Sequence, residues 1–250
     1  MVKRKTLLVD GSVLIYRIAA ALEEVTEWEH DMWTLHSDFN VGKETLENAV
    51  KHYMQKLNCN DLIFAMDDKD NFRNKVYPEY KSNRKKIRKP IIVKPLKDYV
   101  YKNYNCVTYP GLEGDDVLGI LATSKKYKGK CIILSSDKDM RTVPGLHHFI
   151  HDGSTELVDE NTANYNFMYQ TLIGDKTDNF PGVPGVGAVK AQRVLALCPK
   201  DLPSMWNAVI AEYKRANLDK DYALSQARCA RILRETDWDS NKQEPILWTL

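Results

Sequence analysis

An α/β fold, with short buried strands alternating with helices, is predicted by three features of this 250-residue chain. Apolar runs of strand length recur at residues 6–9, 62–66, 105–109, 131–134 and 147–151. Between them lie segments with an apolar residue at every third or fourth position, as in Leu46, Val50, Tyr53 and Leu57. Several strand-like runs also stop at an acid, which puts carboxylates at the carboxyl edge of a sheet, where open α/β sheets bind ligands.

Taken in order, residues 6–9 run into Asp10-Gly11, a strand followed by a turn, and a helix is expected over 13–22. The acidic stretch 23–38 holds Trp28 and Trp33 and carries no assignment. A helix from Glu44 precedes the strand 62–66, which ends at Asp67 and Asp68; Asp67 better continues the strand, and either acid could serve a site there. Residues 105–109 lead through Pro110-Gly111 into Glu113, Asp115 and Asp116, and the helix that follows packs Val117, Leu118 and Leu121 on the sheet. Beyond the strand 131–134, Asp137 and Asp139 point the same way in extended geometry. His147, His148 and His151 have no further ligands at zinc-like spacing and read as core or surface residues.

A helix over 161–173 stops at Gly174-Asp175, and Asp178 shares a face with Asp175 if helical geometry persists. Gly182, Gly185 and Gly187 then form a turn ahead of a helix reaching about residue 197. The free N–H groups of such a helix start suit a phosphate, with Lys190 as a nearby point charge. Helices over 205–215 and 222–234 close the chain as a helical cap.

Composition bounds the reading. Hydrophobic residues make up 43% and charged residues 28%, which describes a soluble globular protein with a real core rather than a disordered one. We expect an α/β core over 1–160 and a helical region over 161–250, packed as one compact unit. Five cysteines, odd in number and without paired spacing, suit a reduced cytoplasmic compartment, and no segment is long enough to span a membrane. Between 72 and 97, ten Lys or Arg face one acid, Glu79, so that segment carries +9 and the rest of a +2 chain carries −7. Pro90 and Pro95 make it a loop or a set of short helices. Charge runs are usually solvated faces; a basic segment against an acidic remainder also suits a protein that grips a polyanion in one place and holds metal in another.

The acids at 113, 115 and 116 are the centre of the argument. Asp115 and Asp116 could simply cap a helix's first turn. Crowded carboxylates, however, repel one another unless protons or a cation neutralise them, and acids recur at the ends of other elements.

Together, Asp10, Asp67, Glu113-Gly114-Asp115-Asp116, Asp137-Lys138-Asp139 and the run from Gly174-Asp175 through Asp178 to the glycine turn resemble the 5′ nuclease (flap endonuclease) superfamily. Tyr80-Lys81-Ser82-Asn83-Arg84 resembles the basic motif of its phage and bacterial branch. Ala230-Arg231-Ile232-Leu233-Arg234 extends the likeness to the 5′–3′ exonucleases of T7-like bacteriophages. The resemblance implies a central mixed, mostly parallel sheet flanked by helices, with the glycine turn in a helix–hairpin–helix-type element that binds duplex backbone. It implies that Asp10, Asp67, Glu113 and Asp115 surround one Mg²⁺ or Mn²⁺ and that Asp137, Asp139 and Asp175 hold a second. Asp116 and Asp178 would then be outer or water-mediated ligands.

Oxygen-only ligands suit such hard cations, and two of them, roughly 3.5–4 Å apart, support in-line displacement at phosphorus. Lys81 and Arg84 are candidates for stabilising charge on the scissile phosphate, beside the catalytic Asp115, and Tyr80 for stacking on a terminal base. Lys85, Gly182, Gly185, Gly187 and Lys190 complete the expected DNA contacts, with K⁺ at the glycine turn. The expected activity is 5′–3′ hydrolysis of duplex DNA, with RNA–DNA hybrids as further substrates and replication proteins as partners. Flap-endonuclease preference, an RNA-cleaving nuclease with an acid quartet, an aspartyl-phosphate phosphatase and a non-catalytic DNA-binding relative are the rivals. Ser12 stands where the phosphatase needs a second acid.

Overall fold

The computed structural model describes residues 5–29, 31–84 and 87–250. Strand β1 (Thr6–Asp10) is buried throughout and leads directly into helix α1 (Gly11–Ala21). Next come β2 (Glu24–Glu27) and β3 (Trp33–His36), which pair only with each other, and α2 (Phe39–Lys56). The chain then adds β4 (Asp61–Ala65), the short α3 (Arg73–Val76), α4 (Val93–Asn103), β5 (Cys106–Val107), α5 (Gly114–Thr123) and β6 (Cys131–Ser135). A hairpin of β7 (Gly145–Phe149) and β8 (Thr155–Val158) completes a six-stranded sheet in the order β5-β4-β1-β6-β7-β8. All its pairs are parallel except β7 with β8, so the sheet is mixed and mostly parallel.

Alternation along β1 explains the layers. Leu7 and Val9 join α1, α2 and α4 in one core, with Leu46, Phe64 and Leu96, while Leu8 joins Val117, Leu118 and Ile133 on the α5 side. Both faces are covered, which is why the central strands are apolar without a break. A third core lies among α6 (Glu160–Ile173), α7 (Ala188–Ala196), α8 (Leu202–Arg215) and α9 (Lys220–Ala230), centred on Phe167, Trp206 and Tyr213. Among the described residues no helix is long and apolar enough to cross a membrane.

One sequence expectation changes, and two stretches gain detail. The unassigned stretch after α1 is the exposed β2–β3 hairpin, with Trp28 Nε1 donating to Thr34 Oγ1 at 2.9 Å. Residues 93–103 form one continuous helix because Pro95 falls in its first turn, where a missing N–H breaks no intrahelical bond. The last helix stops at Ala230, and the chain beyond it lies on α5, with the Leu233 N–H donating to Asp116 at 3.0 Å.

That return strap needs a bare backbone opposite it. A Cβ on Gly119 would stand 2.2 Å from the Leu233 carbonyl oxygen. Gly119→Ala is therefore expected to cost about 1–3 kcal/mol of stability, seen as an earlier urea midpoint with an unchanged denaturant slope.

Candidate metal centre and nucleic-acid interface

Parallel pairing of β4, β1 and β6 aligns their carboxyl ends, so the residues just past them share one rim. Asp10 ends β1 and is almost fully buried. Its Oδ1 caps α1 by accepting the Val13 N–H at 3.0 Å, and its Oδ2 accepts the Ser135 hydroxyl at 2.8 Å. Ser135 Oγ in turn accepts the Asp137 N–H at 3.0 Å, so one hydroxyl links two rim acids. Asp67 accepts the Gly114 N–H at 2.8 Å, which ties β4 to the start of α5. Asp68 instead accepts the Gly111 N–H at 2.7 Å, and backbone hydrogen bonds hold its carboxyl below the usual range. Asp67, whose charge Asp10 feels, is the rim acid of the two.

Electrostatics divide the acids into two groups. Burial pushes Asp10 up to about 7, with Asp67 and Asp137 adding repulsion against the two hydrogen bonds it accepts. Asp115 is raised far above the usual range by burial, then by Asp10 and Asp137. Burial also raises Asp137, and it takes Asp139 to about 7 with help from Asp137 and Asp175. Gln170, from α6, donates to Asp139 Oδ2 at 2.7 Å and fixes that side chain. These four carboxylates lack enough nearby positive charge, and an oxygen-only donor set in that condition suits a hard divalent cation. Among the described residues they approach to electrostatic range without already forming a closed cage of three or more metal ligands.

Glu113 belongs to the second group. Burial would raise it, but Lys81 and Arg73 outweigh burial and hold it at about 2. Lys81 bonds Glu113 and lies 3.4 Å from Asp178, whose other oxygen takes Arg84 at 2.5 Å. Lys81 and Arg84 are thus positioned at the acid cluster from the basic segment. Tyr80 is not free to stack on a base: it is 4% exposed, and its hydroxyl, with one proton to share, lies 2.9 Å from both Glu113 Oε2 and Asp178 Oδ2. Lys85 lies outside the described residues.

Asp116 is the second correction. It is fully buried and turned away from the rim, with its two oxygens on Arg73 Nη1 and Nη2 at 2.6 and 2.8 Å. Those bonds and the Leu233 N–H occupy it, so it is a structural anchor rather than an outer metal ligand. Arg73 also donates to the Cys229 and Arg231 carbonyls at 3.0 and 2.6 Å. Sequence reasoning counted Arg73 only as part of a charge run, and it passed over Ser135 and Gln170 because neutral residues in apolar elements give no local sign of a partner.

The loop after α6 holds Asp175, whose Oδ1 accepts the Thr177 and Asp178 N–H groups at 2.6 and 3.1 Å. Gly182 is buried against Gly174: a Cβ on Gly174 would meet the Pro181 carbonyl carbon at 2.3 Å, and one on Gly182 would meet Gly174 N at 2.4 Å. Gly182 is therefore a packing position rather than a DNA contact. Gly185 and Gly187 are exposed beside the start of α7, and Lys190 is half-exposed, 3.2 Å from the buried Glu212.

The description "5′–3′ exonuclease, N-terminal resolvase-like domain" matches residues 5–168. The chain belongs to the 5′–3′ exonuclease family. It is 27% identical to the exodeoxyribonuclease of Enterobacteria phage T3 over 278 aligned positions, covering 97% of this chain and 92% of that one. It is equally 27% identical to the exonuclease of Escherichia phage T7, with the same coverage. Its fold is that of the bacteriophage T5 D15 flap endonuclease, solved with DNA and metal ions, at a TM-score of 0.69 and 15% identity over 93% of this chain and 90% of that one. The enzyme is a nuclease of this family.

Adjacent acids in one helix turn should behave oppositely. Asp116→Ala strands the buried Arg73 charge and is expected to cost about 3–5 kcal/mol, whereas Asp115→Ala relieves repulsion and should raise the melting temperature in chelator.

The pH dependence follows from the same shifts. Asp10 and Asp139 keep their protons to about 7 in the fold against an ordinary 3.8, so over that window the folded chain binds more protons and loses stability as pH rises. Glu113 acts the other way lower down, contributing above its ordinary 4.5 and losing its effect as pH falls toward about 2. In chelator, melting should therefore be higher near about pH 5.5 than near about 7.5, and Asp10→Asn with Asp139→Asn should flatten that difference.

Proposed function

We propose that the chain is a divalent-metal-dependent 5′–3′ exonuclease that hydrolyses duplex DNA, and RNA in RNA–DNA hybrids, to short 5′-phosphorylated products. The observation that carries the reading is the convergence of Asp10, Asp115, Asp137 and Asp139 at one rim, each carboxyl raised by burial and by its neighbours' charge. Asp10, Asp67, Glu113 and Asp115 would hold one Mg²⁺ or Mn²⁺, and Asp137, Asp139 and Asp175 another. When bound, such ions supply Lewis acidity for in-line attack of water at phosphorus.

The chain's own residues do the rest. Ser135 and Gln170 fix the carboxylates of Asp10 and Asp139, so that their oxygens need little reorganisation. Asp178 and Glu113 hold Lys81 and Arg84 at the edge of the cluster, where these cations would neutralise charge building on the scissile phosphate. Tyr80 braces that arrangement from below, its hydroxyl between Glu113 and Asp178. The exposed turn at Gly185 and Gly187, with Lys190, would grip the duplex backbone away from the cut without reading bases.

Polarity is tested with duplexes labelled at the 5′ or 3′ end and incubated with Mg²⁺. Release should begin at the 5′ end, and loss from the 3′ end alone would reject the reading; a single-stranded 5′ flap on the same duplex separates it from flap-endonuclease preference. Asp115→Ala is expected to abolish cleavage while keeping DNA affinity within about three-fold, and Lys81→Ala should lower kcat by about 10²–10³ with a smaller effect on KM.

A further inference from the structure

The sheet order continues past the acid cluster. Beyond β6 lies β7, and the turn after it puts His151 on the same rim as Asp137. Between this turn and α1 there is a cleft of about 440 Å³ whose walls are Val13, Ser136, Asp137, Lys138 and His151. A second cleft of about 300 Å³ lies on the other side, toward Arg84 and the loop of Asp175 and Asp178. Asp137 and Lys138 line both, so the two clefts adjoin at the metal acids. Either is within the size range of small-ligand sites, roughly 300–1,000 Å³.

The reading above gives cations to one flank only, Lys81 and Arg84. A nucleic-acid strand that crosses a cluster of carboxylates needs positive charge beyond it as well, because its next phosphate would otherwise sit beside acids alone. On the α1 side Lys138 supplies that charge and His151 a ring N–H. Lys138 is exposed, and among the described residues its ammonium forms no ion pair or side-chain hydrogen bond, although Asp139 feels its charge. His151 is exposed, its Nε2 3.2 Å from Asp152 at the outer edge. The start of α1 adds little, since Asp10 already takes the Val13 N–H.

We infer that Lys138 and His151 form a nucleotide-phosphate subsite on the α1 side of the metal acids, opposite Lys81 and Arg84, which holds the phosphate next to the scissile one in the strand being cut. The inference rests on the DNA-hydrolysis reading. It makes Lys138 the pivot between the two clefts, while His151 marks the far wall.

The test uses the full chain with Ca²⁺ in place of Mg²⁺, so that binding is read without turnover. Affinity is measured for duplexes carrying a neutral methylphosphonate at one linkage on either side of the first cleavable phosphate. In the wild-type chain one of these replacements should weaken binding several-fold. In Lys138→Ala/His151→Ala, binding of the all-phosphate duplex should fall by a similar factor and the same replacement should cost nothing more; Lys138→Arg should restore most of the loss. Inhibition by free deoxynucleoside 5′-monophosphates, compared in Mg²⁺, separates strand from released product: weakening confined to that inhibition would assign these residues to the product and overturn the strand subsite. If the wild-type chain binds and cuts DNA but the double variant matches it in every arm, the subsite is overturned. If the wild-type chain neither binds nor cuts DNA, the underlying reading has failed instead.

Discussion

Arg73 and Asp116 join parts of the chain that lie far apart in sequence. The guanidinium spends both Nη atoms on one carboxylate, reaches Glu113, and donates to two carbonyls of the C-terminal strap. It thereby fixes the basic segment, the first turn of α5 and residues 229–231 to one point beneath the rim. A buried charge pair of this kind is weak evidence for net stability, because desolvation offsets much of the attraction. What it does supply is a single geometry: among the described residues neither partner has another buried counter-ion of equal fit, so α3, α5 and the strap dock in one register. Glu113 and Asp115 are aimed at the rim because Asp116, their neighbour, is held the other way.

Around that anchor the charges are deliberately unequal. Glu113 and Asp178 are matched by Lys81 and Arg84 and hold the basic segment against the cluster. Asp10, Asp115, Asp137 and Asp139 are left with burial and mutual repulsion, so the fold stores an unfavourable interaction at the place where a cation and a polyanion would meet. The matched acids set the position of the cationic side chains, and the unmatched acids leave negative charge without a partner.

Much of this is legible in the sequence. The central strands announced themselves because both faces are covered, and the acids at Asp10, Asp67 and Asp137 could be placed on one edge once parallel pairing was assumed. The β2–β3 hairpin was silent because it is exposed: with little burial to impose a period, Glu24, Val25, Thr26 and Glu27 read as featureless. Asp116 was read as an outer ligand beside Asp115 because the partner that claims it, Arg73, lies 43 positions away. Tyr80 looked like a stacking residue for the same reason, its burial being set by Phe180 and by Asp178, which lies 98 positions further on. Gly182 was read as a contact residue when the position it needed to clear was Gly174.

That pair of glycines has a mechanical consequence. Because Gly174 and Gly182 touch through backbone alone, the segment between them is pinched at its neck, and Asp175 and Phe180 bridge across it a little further on. The loop that carries Asp175 and Asp178 therefore joins the turn that exposes Gly185 through a neck of backbone in close contact. The spacing between where a duplex would be clamped and where it would be severed is set like a calliper, by two residues that have no side chains to give way.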